Sequence, residues 1–213
     1  MPNDPEVRTT EGRGRLYDNV VETMGNTPCI QVKNIAPPHV KVYVKAEFFN
    51  PAASVKDRLA VNIIEAAERS GELKPGQTVV EATSGNTGIA LAMIAALMKR
   101  PITLIMPETA TPERRAVMKA YGAEVLLSDG MEAAIDQARA LHAAGTHYMI
   151  DQFSNPANPE MHFRTTGPEI WRDTAGKITH FVASMGTTGT IMGTGKYLKS
   201  QNPDVQIVGV QPK

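Results

Sequence analysis

The chain alternates between two patterns of apolar and polar positions. Short runs rich in Val and Ile, such as residues 77–83 and 102–106, predict buried strands. Longer stretches with apolar residues three and four positions apart predict helices. The predicted strands are residues 29–35, 41–49, 77–83, 102–106, 123–128, 148–153, 178–185 and 205–210, and the predicted helices are residues 55–70, 88–99, 112–121, 131–144 and 191–200.

This alternation of strands and helices indicates an α/β fold. Buried strands that are separated by helices of about ten or more residues favour a mainly parallel sheet with helices on both faces. The pattern alone predicts one doubly wound domain, and the sequence contains no repeat of fixed period. A chain of 213 residues is long enough to bury the core of one or two such domains.

A lysine lies in the first turn of the first long predicted helix, within Asn-Pro-Ala-Ala-Ser-Val-Lys-Asp-Arg at residues 50–58. Ser54 is placed as an N-cap, and Asp57 follows three residues later like the acidic half of a capping box. The positive end of the helix dipole disfavours a charged Lys56. A neutral amine, as a nucleophile or Schiff-base partner requires, explains that placement. In isolation, the four residues Ser-Val-Lys-Asp at positions 54–57 would favour the interpretation of Lys56 as a surface lysine beside Asp57.

Two loops that contain glycine each connect a predicted strand to a predicted helix. We call residues 83–87 the first glycine loop and residues 186–190 the second glycine loop. Unpaired backbone N–H groups and the helix dipole make such a junction an anion site. Glycine lets the backbone approach a ligand, and threonine hydroxyls add donors. Together with Lys56, the loops predict a ligand that carries a phosphate and a substrate that carries a carboxylate.

Other ligand-binding motifs fit the chain poorly. Gly186 is followed by Thr188 where a dinucleotide loop requires a second glycine. The phosphate-binding pattern of nucleotide hydrolases fails because Thr190 occupies its first glycine position and Tyr197 follows Lys196. The five histidines lack the spacing of metal ligands, so no metal site is predicted.

Composition narrows the class of protein further. The 22 basic and 22 acidic residues balance, so the charge predicts no nucleic-acid or membrane-surface partner. A single cysteine excludes an intrachain disulfide and is typical of a reducing compartment. Residues 1–15 lack the apolar core of a secretory signal, and the longest apolar run, residues 88–98, is shorter than the roughly 18–20 residues of a membrane span. We therefore expect a cytoplasmic protein.

Five segments resemble, in the same order, those of the cysteine synthases, or O-acetylserine sulfhydrylases. These are pyridoxal-phosphate enzymes with the tryptophan synthase β-like fold, also called fold type II. The sequence Ala-Ser-Met-Gly-Thr-Thr-Gly-Thr, which includes the second glycine loop, is most similar to the B-type members. The resemblance extends from about Thr23 to the end of the chain. The segments are residues 50–58, 83–88, 152–158, 165–171 and 186–190.

The resemblance implies a role for each matching residue. Lys56 is expected to form a Schiff base with pyridoxal 5'-phosphate and later to move protons. Asn86 is expected to donate a hydrogen bond to the ring hydroxyl oxygen of the cofactor. The residues expected to bind its phosphate are Gly186, Thr187, Thr188, Gly189 and Thr190. The residues expected to hold the substrate carboxylate are Thr83, Ser84, Gly85, Asn86, Thr87 and Gln152.

The implied reaction is the formation of L-cysteine from O-acetyl-L-serine and sulfide, by replacement at the β-carbon, in a homodimer. Thiosulfate as the sulfur donor would give S-sulfocysteine. A cystathionine β-synthase or a serine/threonine dehydratase would share the lysine, but Gln152 and the first glycine loop favour the cysteine synthases. A non-catalytic module that binds a partner is an alternative from another class of protein.

The resemblance also implies two domains. Residues 51–159 would form a smaller, mobile substrate domain, and residues 23–50 with 160–213 a larger cofactor domain after an N-terminal arm of residues 1–22. Cysteine synthases continue past the position of Lys213, and that stretch supplies a serine or threonine to the pyridine nitrogen. We therefore expect the larger domain to be incomplete in these 213 residues. An inactive truncated module is the corresponding alternative.

Overall fold

The computed structural model of the protein describes residues 15–211. Residues 1–14 of the predicted N-terminal arm lie outside this range, as do residues 212–213. The strands are β1 (Cys29–Val32), β2 (Val42–Lys45), β3 (Thr78–Ala82), β4 (Ile102–Pro107), β5 (Glu124–Ser128), β6 (His147–Met149), β7 (His180–Ser184) and β8 (Gln206–Val210). The helices are α1 (Lys56–Ser70), α2 (Asn86–Leu97), α3 (Pro112–Ala120), α4 (Met131–Ala143), α5 (Ala157–Arg164), α6 (Thr166–Asp173) and α7 (Gly189–Gln201).

A four-stranded parallel sheet, with strand order β5-β4-β3-β6, forms the largest core. Successive side chains of a strand point to opposite faces, so Val79 and Val80 enter different clusters. Val79 packs with the apolar residues of α1 and α2, whereas Val80 packs with Ala134 and Ala138 of α4. Helices therefore cover both faces of this sheet, which explains why its central strands β3 and β4 are almost continuously buried.

The prediction of one continuous sheet is wrong for the described residues. Strands β1 and β2 form an antiparallel pair, and β7 and β8 form a separate parallel pair. The β7–β8 pair has its own apolar cluster, which includes Phe181, Ile191 and Leu198. Periodicity reports which side of a strand is buried but not which strand lies beside it, so it could not separate these sheets.

Helices α5 and α6 were missing from the predicted elements. Pro156 is the N-cap of α5, and Pro159 and Pro168 occupy the third positions of α5 and α6. Proline is compatible with the first turn because the N–H groups there have no intrahelical partner. The predicted strand of residues 41–49 ends at Lys45, and Glu47–Phe49 form a short 3-10 helix.

No helix between residues 15 and 211 is long and apolar enough to cross a membrane. The most apolar helix, α2, has 12 residues.

Candidate functional site

The loop before α1 fixes the position of Lys56. The Lys56 backbone N–H donates to the Ser54 hydroxyl at 3.2 Å. The Asp57 carboxylate accepts a hydrogen bond from the Ala52 N–H at 2.6 Å. The predicted N-cap is wrong, because α1 begins at Lys56 after Val55, but the predicted contact of Asp57 with the Ser54 backbone is present beside its hydrogen bond to Ala52. This hydrogen bond closes the loop of residues 52–57 and holds the loop against the start of α1.

Burial favours the neutral form of the Lys56 amine. Removal from water lowers the pKa of Lys56 below its ordinary value, because the charged form loses hydration that nothing replaces. Partial burial therefore shifts the pKa of Lys56 in the direction that the predicted role requires, as does the unfavourable helix dipole. The charge of Lys56 also contributes to the lowered pKa of His162 on α5.

Arg58 anchors the start of α1 through a buried network of charges. Its guanidinium donates to the Glu47 carboxylate at 2.8 and 2.9 Å and to the Glu169 carboxylate at 2.7 Å through two nitrogens. Lys45 lies 2.9 Å from Glu169. Burial alone would raise the pKa of Glu169, but the hydrogen bonds and charges of Arg58 and Lys45 lower it to about 2. The network joins β2, α1 and α6, and no sequence spacing indicates it.

The first glycine loop lies between β3 and α2. Its Thr87 hydroxyl donates to Gln152 Oε1 at 2.7 Å, so two residues that are 65 positions apart meet as the resemblance implied. The Gly85 N–H donates to the Thr83 hydroxyl at 3.3 Å. No side chain caps the start of α2 at Asn86. The first turn of this helix therefore presents backbone donors beside the hydroxyl of Thr87.

Two residues outside the predicted set support the first glycine loop. Arg114 of α3 donates to the Ser84 carbonyl at 2.9 Å. Glu81, in β3, is 2% exposed and accepts a hydrogen bond from the Asp151 N–H at 2.9 Å, next to Gln152. Burial raises the pKa of Glu81 to about 7. A charged residue inside an apolar strand was the sequence signal that could have singled out Glu81.

The second glycine loop lies between β7 and α7, and α7 begins at Gly189 without a side-chain cap. Thr187 accepts a hydrogen bond from the Asn158 amide at 3.1 Å. A Cβ atom built on Gly189 would overlap the Asn158 side chain, so glycine is required there for packing. A Cβ atom on Gly186 would meet no heavy atom within 4 Å. One side of the loop is therefore packed against α5, and the Gly186 side is open.

His162 connects α5 to the second glycine loop, a role that sequence reasoning missed. Its Nε2 lies 3.1 Å from the Thr190 hydroxyl, and its Nδ1 lies 2.9 Å from the Thr166 hydroxyl. Burial, followed by the positive charge of Arg58, lowers the pKa of His162 to about 3. The imidazole is therefore neutral near pH 7, with one nitrogen as donor and the other as acceptor. Nothing in its spacing from other residues distinguishes it from the remaining histidines.

The predicted residues are thus brought together in two groups. Thr87 contacts Gln152 directly, while Thr187, Gly189 and Thr190 contact α5. Among the hydrogen bonds of residues 15–211, none joins the Lys56 amine to either glycine loop. That same part of the chain holds no group of three or more His, Cys, Asp or Glu residues that could bind a metal ion.

Comparison with known proteins identifies the family to which the chain is similar. Residues 20–213 match the family described as "Pyridoxal-phosphate dependent enzyme". Cysteine synthase B of Salmonella typhimurium is 54% identical over 196 residues, which are 90% of this chain and 65% of that protein. A solved cysteine synthase from Entamoeba histolytica has a TM-score of 0.91 and 37% identity, over 97% of this chain and 64% of that chain. A solved O-ureido-L-serine synthase has a TM-score of 0.88 and 42% identity, over 93% and 64% of the respective chains.

These comparisons confirm the predicted resemblance to B-type cysteine synthases, the α/β architecture of fold type II and the cofactor of the family. The chain spans 65% of the length of the Salmonella relative and 64% of each of the two solved chains. The family match covers the lysine, both glycine loops and α5. The chain belongs to the family of pyridoxal-phosphate-dependent enzymes.

Proposed function

We propose that this protein makes L-cysteine from O-acetyl-L-serine and sulfide with pyridoxal 5'-phosphate, as a cysteine synthase does. The observation that carries the proposal is a half-buried lysine with a lowered pKa, at the start of a helix, in a chain where two further helices start without side-chain caps after glycine loops. The names of the similar proteins favour a synthase over a dehydratase or a cystathionine β-synthase.

The donor set fits the proposed cofactor. A phosphate needs backbone N–H groups and hydroxyls at a helix start, and the second glycine loop offers both beside the open Gly186. We assign the phosphate to Gly186, Thr187, Thr188, Gly189 and Thr190. We assign the hydrogen bond to the ring hydroxyl oxygen to Asn86, the first residue of α2.

The first glycine loop supplies donors for a carboxylate. The hydroxyls of Thr83, Ser84 and Thr87, the amides of Asn86 and Gln152, and the backbone at Gly85 are the groups we assign to it. Thr87 donates its hydroxyl hydrogen to Gln152 Oε1, and this bond orients the Gln152 amide nitrogen as a preorganised donor of the set. Preorganised donors avoid the cost of ordering side chains when the substrate binds.

Lys56 has two proposed tasks. As a neutral amine it would hold the cofactor covalently, and it would accept the proton from the substrate α-carbon. Its lowered pKa serves both tasks, because a protonated amine is neither nucleophile nor base. When bound, pyridoxal phosphate supplies an electron sink for the charge that the deprotonation leaves.

Several finer assignments rest on the resemblance. We propose a homodimer in the cytoplasm, with sulfide as the donor and thiosulfate as the alternative that would give S-sulfocysteine. We also propose a smaller mobile domain of residues 51–159 and a larger domain of residues 23–50 and 160–213. The four-stranded sheet, formed from residues 78–149, lies within the proposed smaller domain.

The test is to identify the lysine that carries the cofactor. The protein is incubated with pyridoxal phosphate, treated with borohydride and digested, and the cofactor mass is located by peptide mapping. We expect it on Lys56, with no label in a Lys56→Ala variant and unchanged labelling in a Lys74→Ala control. Label on Lys45, Lys74 or Lys196 would contradict the assignment. Formation of cysteine from O-acetyl-L-serine and sulfide is measured in parallel.

A further inference from the structure

We infer that Asn158 is a positioning residue that couples the two glycine loops, so that a change at the first loop alters how the second loop holds phosphate. The inference rests on the proposed function, since it concerns the affinity of the second loop for pyridoxal phosphate. Asn158 lies on α5, between Gln152 and α7, and is 3% exposed.

The Asn158 amide donates to both sides. Its Nδ2 donates to the Gln152 carbonyl at 3.0 Å and to the Thr187 hydroxyl at 3.1 Å. One amide hydrogen is therefore directed to Gln152, whose side chain contacts the first glycine loop, and the other is directed to the second glycine loop. A displacement of either acceptor must stretch a hydrogen bond that is largely shielded from water and that water therefore does not readily replace.

Packing makes this connection stiff. The backbone of Gly189 lies against the Asn158 side chain so closely that any Cβ atom there would overlap it. On the other side, the Gln152 side chain accepts a hydrogen bond from Thr87, while Glu81 holds the neighbouring Asp151 N–H. The contacts therefore form an uninterrupted series from Thr87 through Gln152 and Asn158 to Thr187 and Gly189.

The turn before α5 sets the position of Asn158. The Asn155 side chain donates to the Ile150 carbonyl at 3.0 Å and accepts from the Ala157 N–H at 3.0 Å. The Asn158 N–H donates to the Asn155 carbonyl at 3.1 Å. Asn155 thus stabilises the same turn, but its side-chain hydrogen bonds reach neither glycine loop. It provides a matched control for a purely structural role.

The experiment measures the dissociation constant of pyridoxal phosphate by absorbance titration of the full chain. We expect Thr87→Ala to raise this constant about 3- to 10-fold when Asn158 is present, the range that residues coupled through contacts show. In the N158A background the same substitution should change it less than about 2-fold. In the N155A background the 3- to 10-fold effect should remain, even though the melting temperature falls.

An equal effect of Thr87→Ala with and without Asn158 overturns the inference while leaving the proposed function intact. Loss of the effect in the N155A background also overturns it, because the coupling would then follow general stability. If N158A is unfolded by circular dichroism, Asn158→Ser replaces it, since the shorter side chain cannot span both acceptors. Absence of cofactor binding by the unaltered chain contradicts the proposed function itself.

Discussion

The two parallel sheets of this protein each end in a glycine loop and a helix start, yet they are covered very differently. In the four-stranded sheet, every residue of β4 is buried and helices lie on both faces. In the β7–β8 pair, Phe181 is buried against α7, while Val182 and Val208 on the opposite face are 59% and 40% exposed. The first glycine loop therefore extends from a fully packed core, and the second from a sheet with one open face in the described residues.

This difference suggests that the second glycine loop depends on α5 for its position. A sheet with one packed face has fewer apolar contacts to hold its ends, and regions of low contact density open more readily. Thr187, Gly189 and Thr190 all contact side chains of α5. The first loop, in contrast, is held by Arg114 and by Gln152, whose neighbour Asp151 is hydrogen-bonded to Glu81 of β3. The four predictions below test this contrast.

The largest expected effect comes from the charge network between the two regions. Arg58 belongs to α1, which packs on the four-stranded sheet. Glu169 belongs to α6, which packs against the apolar cluster of the β7–β8 pair. Arg58→Met removes the ion pair of the Glu47 carboxylate and leaves Glu169 with Lys45 as its charged partner, so it should lower the free energy of unfolding by about 3 kcal/mol at pH 7. Urea denaturation measures this. The control Arg69→Met removes an exposed pair with Glu65 and should cost less than about 0.5 kcal/mol.

The pH dependence of the same variant checks the mechanism. The folded pKa of Glu169 is about 2, below its ordinary value of 4.5, so its contribution is complete above pH 4.5 and is lost as the pH falls towards 2. Arg58→Met should flatten the loss of stability over that acidic range. An equally steep loss in the variant would show that the network does not set the pKa of Glu169.

The second prediction compares the two sheets directly. Leu104 in β4 is fully buried, and Leu104→Ala should lower the free energy of unfolding by about 3 kcal/mol through lost burial and a cavity. Val182→Ala on the open face of β7 should cost less than about 0.5 kcal/mol. Thermal unfolding of both variants measures the difference. Similar costs would mean that the open face of β7 is covered in solution.

Sequence reasoning located β3 and β4 well, because their continuous burial leaves a strong apolar signal, whereas the strand predicted at residues 148–153 is the three-residue β6, His147–Met149. It also placed Lys56 and both glycine loops, since each of these lies at a single strand-to-helix junction or helix start. Residue patterns could not give Asn158, His162 or the Arg58 network. Their roles depend on contacts between residues 28 or more positions apart, such as Asn158 with Thr187 and Arg58 with Glu169.

The third prediction concerns the support of the first loop. The pKa of Glu81 is raised from 4.5 to about 7, so its stabilising contribution is complete below pH 4.5 and is lost as the pH rises through 7. Glu81→Gln keeps an acceptor for the Asp151 N–H without a charge. Between pH 5 and 8 the unaltered protein should lose about 2 kcal/mol more stability than the variant. Parallel pH profiles of the two proteins would refute a raised pKa.

The smallest expected effect lies in the loop that leads to Lys56. Ala53 has φ of +57°, a left-handed conformation that costs an L-residue about 1–2 kcal/mol. Ala53→Gly relieves this strain in the folded protein. Glycine also makes the unfolded chain more flexible, which offsets part of the effect, so we expect a net stabilisation by about 0.5–1 kcal/mol. Ala52→Gly, one residue earlier and outside that conformation, should instead destabilise by about 0.5–1 kcal/mol. Differential scanning calorimetry shows whether each variant gains or loses stability. If both variants lose stability, the strain at Ala53 is absent in solution, and the hydrogen bond between Asp57 and Ala52 does not force that turn.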